Sequence, residues 1–180
     1  MNRLILIVFL SSFALGQNWF QKTVFKTFTA FEPTMKKLNE RINESNGEKA
    51  VLSFQDLDGK AHFIDEFLGK VVLVDMWATW CSPCVKQIPD LNISQEKFRD
   101  DGLVILSITD EDIANVNKFL TKHEMKEEIG FINYDDEVAE PFRHFRRGRP
   151  MYFLVDRNGI IQSGSMFKPS DRKIKKCLRE

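Results

Sequence analysis

Apolar residues recur along this chain with two different periods, and the switches between them sketch its elements. From Phe20, the positions Phe20, Val24, Phe28, Phe31, Met35, Leu38 and Ile42 follow one another at steps of four and three, which predicts a helical face. Pro33 interrupts that face and is expected to restart the helix, because proline suits a first turn and not an interior. Asn46-Gly47 supplies the stop. Val51–Leu57 predicts a strand and Asp58-Gly59 the turn behind it. A short segment, Phe63–Leu68, then leads through Gly69-Lys70 into Val71–Val74, an unbroken apolar run that predicts a central strand buried on both faces. After Cys84, the residues Val85, Ile88, Leu91 and Phe98 give a helix dented at Pro89. Leu103–Ile108 predicts another buried strand, and Ile113, Val116, Phe119 and Leu120 a second helical face ending near Lys122. Ile129–Ile132 reads as a short strand, and Glu137–Phe145 as a helix in which Pro141 dissents. Met151–Val155 and Ile160–Ser163 flank Asp156-Arg-Asn-Gly159 as a hairpin, and a last helix starts at Ser170 and runs through Leu178.

Strands alternating with helices, closed by a hairpin and a helix, imply an α/β fold: a central mixed β-sheet flanked by helices, with an N-terminal helical extension. The length, 180 residues, suits one domain with a full core. The expected divisions are a leader over residues 1–16, the helical extension over 17–47 and the main domain over 48–180. Arg3, the apolar stretch Leu4–Leu10 and the small residues of Ala14-Leu15-Gly16 form an export signal with cleavage before Gln17. The apolar stretch is shorter than the roughly 20 residues of a bilayer span, so an uncleaved membrane anchor is the weaker alternative. Export implies a periplasmic or secreted protein, where disulfides persist and a dithiol is recharged by an upstream redox partner. Basic and acidic side chains balance at 26 each, so no bulk charge calls for nucleic acid. The face of the N-terminal helix packs on the domain that follows, or serves as a dimer seam or partner surface.

The chemistry concentrates where the central strand runs into Trp77-Ala-Thr-Trp80 and Cys81-Ser-Pro-Cys84, so that two cysteines sit at the start of a helix. Unsatisfied N–H groups and the positive end of the helix dipole favour thiolate over thiol there. Cysteines of C-x-x-C motifs at helix starts have pKa values of roughly 3.5–7.5, against about 8.5 for a free thiol. A zinc site needs four ligands, and the remaining Cys177, His62, His123 and His144 show no ligand spacing, so no metal is expected. Haem attachment needs histidine after the second cysteine, where Val85 stands. A redox dithiol is the best reading, with no cofactor beyond it. Cys177 reads as a buried thiol, with an intermolecular disulfide as the alternative.

Val74-Asp-Met-Trp-Ala-Thr-Trp-Cys-Ser-Pro-Cys84, Gly148-Arg-Pro150 and Phe153-Leu-Val-Asp-Arg-Asn-Gly159 resemble a thioredoxin fold. The leader, Asp58-Gly59-Lys60, Pro89 and the extra helix and strand near residues 112–133 resemble its exported TlpA/ResA-like branch. The resemblance covers roughly residues 48–180 and implies a thiol–disulfide oxidoreductase acting on protein disulfides. It makes Cys81 the exposed attacking sulfur and Cys84 the more buried resolving one, with a mixed disulfide between them and the substrate. Asp75 takes the place of a buried acid that accepts the proton of Cys84. Pro150 takes the place of a cis-proline beside the cysteines. The backbone of Arg149 and the ring of Trp80 then belong to the substrate-docking surface.

Two positions depart from the branch. Gln87 stands where such proteins often carry glutamate, which leaves Asp75 alone to tune Cys84. The basic run Arg143–Arg149 precedes the proline where small residues are usual. Arg149 is expected either to make the rim positive or to be one of a solvated charged face. Ala78 stands where a peroxiredoxin carries threonine, which disfavours a peroxidase. Reduction of extracytoplasmic protein disulfides is the leading expectation; a disulfide oxidase or isomerase, or a non-catalytic binding module, are the rivals.

Overall fold

A computed structural model describes Glu40, Ile42, residues 44–132, Phe142 and residues 148–180. The leader, nearly all of the N-terminal extension, most of the helix expected over Glu137–Phe145 and the basic residues up to Arg147 lie outside the described residues. The chain divides into two compact units, of which the second, Arg41–Glu180, carries the sheet. Its described elements are the strands β1 (Ser53–Gln55), β2 (Ala61–Phe63), β3 (Val71–Met76), β4 (Leu103–Thr109), β5 (Glu128–Phe131), β6 (Met151–Val155) and β7 (Ile161–Ser165). The helices are α1 (Ser82–Phe98), α2 (Ile113–Leu120) and α3 (Asp171–Arg179), with a 3-10 turn at Ile64–Phe67.

All seven strands join one sheet in the order β2-β1-β5-β4-β3-β6-β7. β3 pairs in parallel with β4, and β4 with β5, while the outer pairings are antiparallel. β3 therefore lies inside the sheet, and all six of its residues are buried, as its continuous apolar run requires. Alternation along the strands divides the core in two. Val71, Leu73, Leu103, Ile105, Tyr152 and Leu154 face α1 and α3, meeting Leu91, Phe98, Ile174 and Cys177. On the other face Phe142 packs edge-on against Phe153, with ring centroids 5.0 Å apart, and Ile42 lies close to Gly164.

Local chemistry explains where elements differ from expectation. Pro89 does not break α1, which runs on to Phe98. The proline faces solvent while Ile88 and Leu91 on either side are buried, so packing holds both halves in line. The first strand is only three residues, because Asp56 ends it: its Oδ1 accepts from the N–H groups of Asp58 and Lys60, both at 2.9 Å. The turn leads into β2, too short and mixed to show alternation in the sequence. His62 on β2 bridges Asp56 (3.0 Å) and Glu66 (2.9 Å), and these carboxylates, Glu66 foremost, raise its pKa.

Two side chains finish what strand pairing leaves open. β5 begins opposite Leu106, so the first residues of β4 have no strand on that side. Gln95 of α1 fills in: its Nε2 donates to the Leu103 carbonyl at 3.2 Å and its Oε1 accepts from Ile105 N–H at 2.7 Å. At the base of the sheet, Arg157 donates to the carbonyls of Gly69, Asp101 and Leu178, tying β6 to the starts of β3 and β4 and to the end of the chain. Replacing Gln95 by Ala strands two buried backbone groups and is expected to lower the unfolding free energy by about 2–3 kcal/mol. Urea unfolding followed by circular dichroism measures it, and an unchanged midpoint contradicts the role assigned to this amide.

Candidate active site

The site begins where β3 ends. Trp77, the next residue, is buried, donates its backbone N–H to the Ile108 carbonyl at 3.0 Å and packs against Phe119 of α2 at 5.4 Å between ring centroids. The chain then turns through Ala78-Thr79-Trp80 into α1, with Cys81 N–H donating to the Ala78 carbonyl at 3.0 Å. Thr79 is held from below by Glu111 in the β4–α2 loop. The Thr79 N–H and hydroxyl donate to its two carboxylate oxygens at 2.5 and 2.8 Å. Cys81 occupies the N-cap of α1, where its sulfur accepts from Cys84 N–H at 3.3 Å, and Pro83 lies within the first turn, where its missing N–H costs nothing.

Cys81 and Cys84 are joined in a disulfide, with their Cα atoms 5.2 Å apart. The expected contrast in exposure is not seen in this oxidised form: Cys81 is 4% and Cys84 2% exposed. The Cys81 side chain lies against a cluster of Trp77, Ala78, Val116, Ile129 and Phe131. What stands out at the surface is Trp80, 69% exposed, immediately before the first cysteine.

The Arg149–Pro150 bond is cis and leads directly into β6, whose first residue, Met151, pairs with Met76 at the end of β3. That register sets the proline loop beside the strand end from which the cysteine loop springs. Arg149 does not supply a free positive rim. Its side chain is only 8% exposed, is ion-paired with Asp110, and its guanidinium carbon lies 5.1 Å from the centre of the Trp80 ring. The charge is met by a carboxylate and capped by an aromatic face, an arrangement suited to guanidinium.

Asp75 lies under α1, on the same face as Leu73, 2% exposed. Across the sheet its register partners are Ser107 on β4 and Tyr152 on β6. Burial raises its pKa well above the ordinary carboxylate range, the charge of Glu127 adds to this, and the nearby Ser107 hydroxyl works weakly the other way. Burial likewise raises the Tyr152 hydroxyl. Gln87 turns aside to Asp90, its Nε2 donating at 2.9 Å. Cys177 is buried in the core with a pKa raised to about 11, chiefly by desolvation.

Sequence reasoning singled out Cys81, Cys84, Asp75, Trp80, Arg149 and Pro150, and the fold gathers them around the end of β3. It missed Asp110, Glu111 and Glu127. Asp110 and Glu111 belong to a run of three acids, and Glu127 to a Glu-Glu pair, which in a sequence look like ordinary solvated charge.

A mixed sheet with a disulfide at the helix following its central strand, and a cis-proline opposite, defines a thioredoxin-like protein. The chain belongs to the AhpC/TSA family, which it matches over residues 46–163. It is 28% identical over 135 residues to the thiol-disulfide oxidoreductase ResA of Bacillus cereus, covering 74% of this chain and 75% of that one. It is 31% identical over 117 residues to ResA of Geobacillus thermodenitrificans, covering 63% and 66%. The thioredoxin domain of a thiol-disulfide oxidoreductase from Bacteroides vulgatus superposes with a TM-score of 0.65 at 25% identity, covering 74% of this chain and 97% of that domain. Fold, disulfide and relatives agree on a thioredoxin-like thiol–disulfide oxidoreductase.

Glu111→Ala removes both supports of Thr79 and is expected to cost about 2–3 kcal/mol, since hydrogen bonds to a charged acceptor are the stronger kind. Urea denaturation of the oxidised protein measures the loss, and a change within error speaks against the clamp.

Proposed function

We propose that this protein is exported and that its Cys81–Cys84 couple, in the dithiol form, reduces disulfides of extracytoplasmic proteins. The observation that carries the reading is the disulfide at the N-terminus of α1 with the buried carboxyl of Asp75 beneath it. Export rests on the leader pattern of Met1–Gly16, and cleavage is expected to leave a mature chain beginning near Gln17. Among the described residues no helix is long and apolar enough to cross a membrane.

In the dithiol form the helix N-terminus favours the Cys81 thiolate, which attacks one sulfur of a substrate disulfide. A Cys81–substrate disulfide forms, and the first substrate sulfur leaves as thiolate. Cys84 then gives its proton to the Asp75 carboxylate and attacks the Cys81 sulfur. The Cys81–substrate bond breaks, the Cys81–Cys84 bond forms, and the second substrate sulfur leaves. Two electrons have passed to the substrate, and the protein waits in its disulfide state for an upstream dithiol to recharge it. Trp80, the backbone of Arg149 and Pro150 form the ledge on which an extended substrate segment lies. The Arg149–Asp110 pair fixes the tryptophan ring as part of that ledge.

Insulin disulfide reduction by the dithiol-charged protein tests the assignment. Cys81→Ser is expected to abolish turnover and Cys84→Ser to accumulate a mixed disulfide visible by mass spectrometry. Redox equilibration with glutathione tests the direction. A potential near the roughly −270 mV of thioredoxin supports a reductant, and one near the roughly −120 mV of a strong periplasmic oxidant reverses it.

The charged form of Asp75 is the proton acceptor and its pKa is raised. Resolution of the mixed disulfide should therefore speed up as pH rises through the Asp75 titration. Asp75→Asn is expected to slow that step by about 100-fold and to flatten its pH profile. Rapid-quench measurement of mixed-disulfide decay reads both, and an unchanged profile removes Asp75 from the reaction.

A further inference from the structure

Asp75 is not the only acid beneath the helix that carries the cysteines. Ser107 pairs with Asp75 on one side and with Ile129 of β5 on the other. Glu127 lies two residues before Ile129, so by strand alternation it faces the same side as Asp75, Ser107 and Tyr152. It is 7% exposed, and both of its carboxylate oxygens are buried without a hydrogen-bond partner, as are Asp75 Oδ1, Ser107 Oγ and Tyr152 Oη.

The segment carrying Glu127 is fixed to α1 itself. Asn92 donates to the Glu124 carbonyl and accepts from Lys126 N–H, both at 2.8 Å. The nearest cation in sequence, Lys126, turns its ammonium to Glu96 on α1 and, at 3.8 Å, to Glu124. Among the described residues neither Asp75 nor Glu127 is ion-paired.

A buried carboxyl with no partner is costly, and a second one close by compounds the cost if both ionise. Among the described residues, the polar groups sharing this layer under α1 are acidic or neutral: Asp75 from β3, Ser107 from β4, Glu127 at the entry to β5 and Tyr152 from β6, with Cys84 in the helix above. Burial pushes Glu127 up to about 7 although the backbone N–H groups of Glu127 and Lys126 work the other way; its charge in turn raises Asp75, and both carboxyls raise Tyr152.

We propose that Glu127 is a positioning residue for the disulfide exchange, a second buried carboxyl that shares one proton with Asp75. It thereby sets the pH at which Asp75 can take the proton of Cys84. This rests on the reading of Asp75 as that acceptor. While the pair holds one proton, Asp75 accepts only in the microstate in which Glu127 carries it. When Cys84 sulfur attacks the Cys81–substrate disulfide, its proton moves to Asp75, and the pair briefly holds two. Glu127, nearer the protein surface, then releases one to solvent. The departing substrate sulfur carries away the electron pair of the broken S–S bond.

Carbon-13 NMR titration of the side-chain carboxyls in the oxidised full chain tests the coupling without any turnover. In the unaltered protein, Asp75 and Glu127 are expected to show the same two inflections, the mark of one coupled pair. In Glu127→Gln, Asp75 should show a single inflection about one pH unit lower, and in Asp75→Asn Glu127 should likewise show one. The acid limb of mixed-disulfide resolution should move down by the same amount in Glu127→Gln, a change that a merely structural role would not produce. An Asp75 titration unaltered by Glu127→Gln overturns the proposal, as does a Glu127 that titrates alone in the ordinary carboxylate range. Should Glu127→Gln not fold, the titration of the unaltered protein decides by itself: shared inflections support the pair and separate ones refute it. Intact coupling with no insulin reduction points instead to failure of the catalytic reading.

Discussion

The parallel pairing of β3 with β4 is the constraint from which the site follows. It places β3 between two neighbours, with α1 over one face and Ile42, Phe142 and Phe153 on the other. A strand so enclosed must be apolar, and Asp75 is the one residue of Val71–Met76 that breaks the rule. Its burial follows from the register rather than from any partner that compensates it. The same pairing brings the end of β3 level with the β4–α2 loop, which delivers Asp110 to Arg149 and Glu111 to Thr79. The cysteine loop is thus gripped from the β4 side, while β6 brings Pro150 up on the other.

This arrangement separates two jobs. Hydrogen bonds and an ion pair hold the turn before the cysteines: Glu111 grips Thr79, and the largely buried Arg149–Asp110 pair backs the Trp80 ring. The layer below contains several polar atoms without partners, where proton affinities are set by desolvation. Such unpaired groups weaken a fold, and their concentration under a reactive helix is the usual pattern at catalytic sites.

The central strand, the cysteine helix, the closing hairpin and the last helix were legible because each has a strong period and a stop signal. Val71–Val74 and Cys81–Cys84 also carried the fold class and the chemistry between them. What escaped was either short or dependent on tertiary context. Ala61–Phe63 is three residues of mixed character, and only Asp56, folding back on the turn, makes it a hairpin partner. Pro89 read as a dent because its packing neighbours could not be seen. Arg149 read as surface charge because nothing in a linear run of basic residues reveals the carboxylate of Asp110 opposite. Glu127 was invisible for the same reason, since its burial depends on Asn92 of a distant helix. Cys81 read as exposed because the resemblance assigns it the attacking role, whereas in the disulfide form its side chain lies in a cluster with Trp77 and Val116.

The fastening at the base of the sheet bears on how the two ends of the domain respond to acid. Among the described residues, the Arg157 guanidinium donates only to main-chain carbonyls, acceptors that do not titrate. Acid leaves those three acceptors as they are, whereas at the cysteine end burial raises the proton affinity of Asp75 and Glu127.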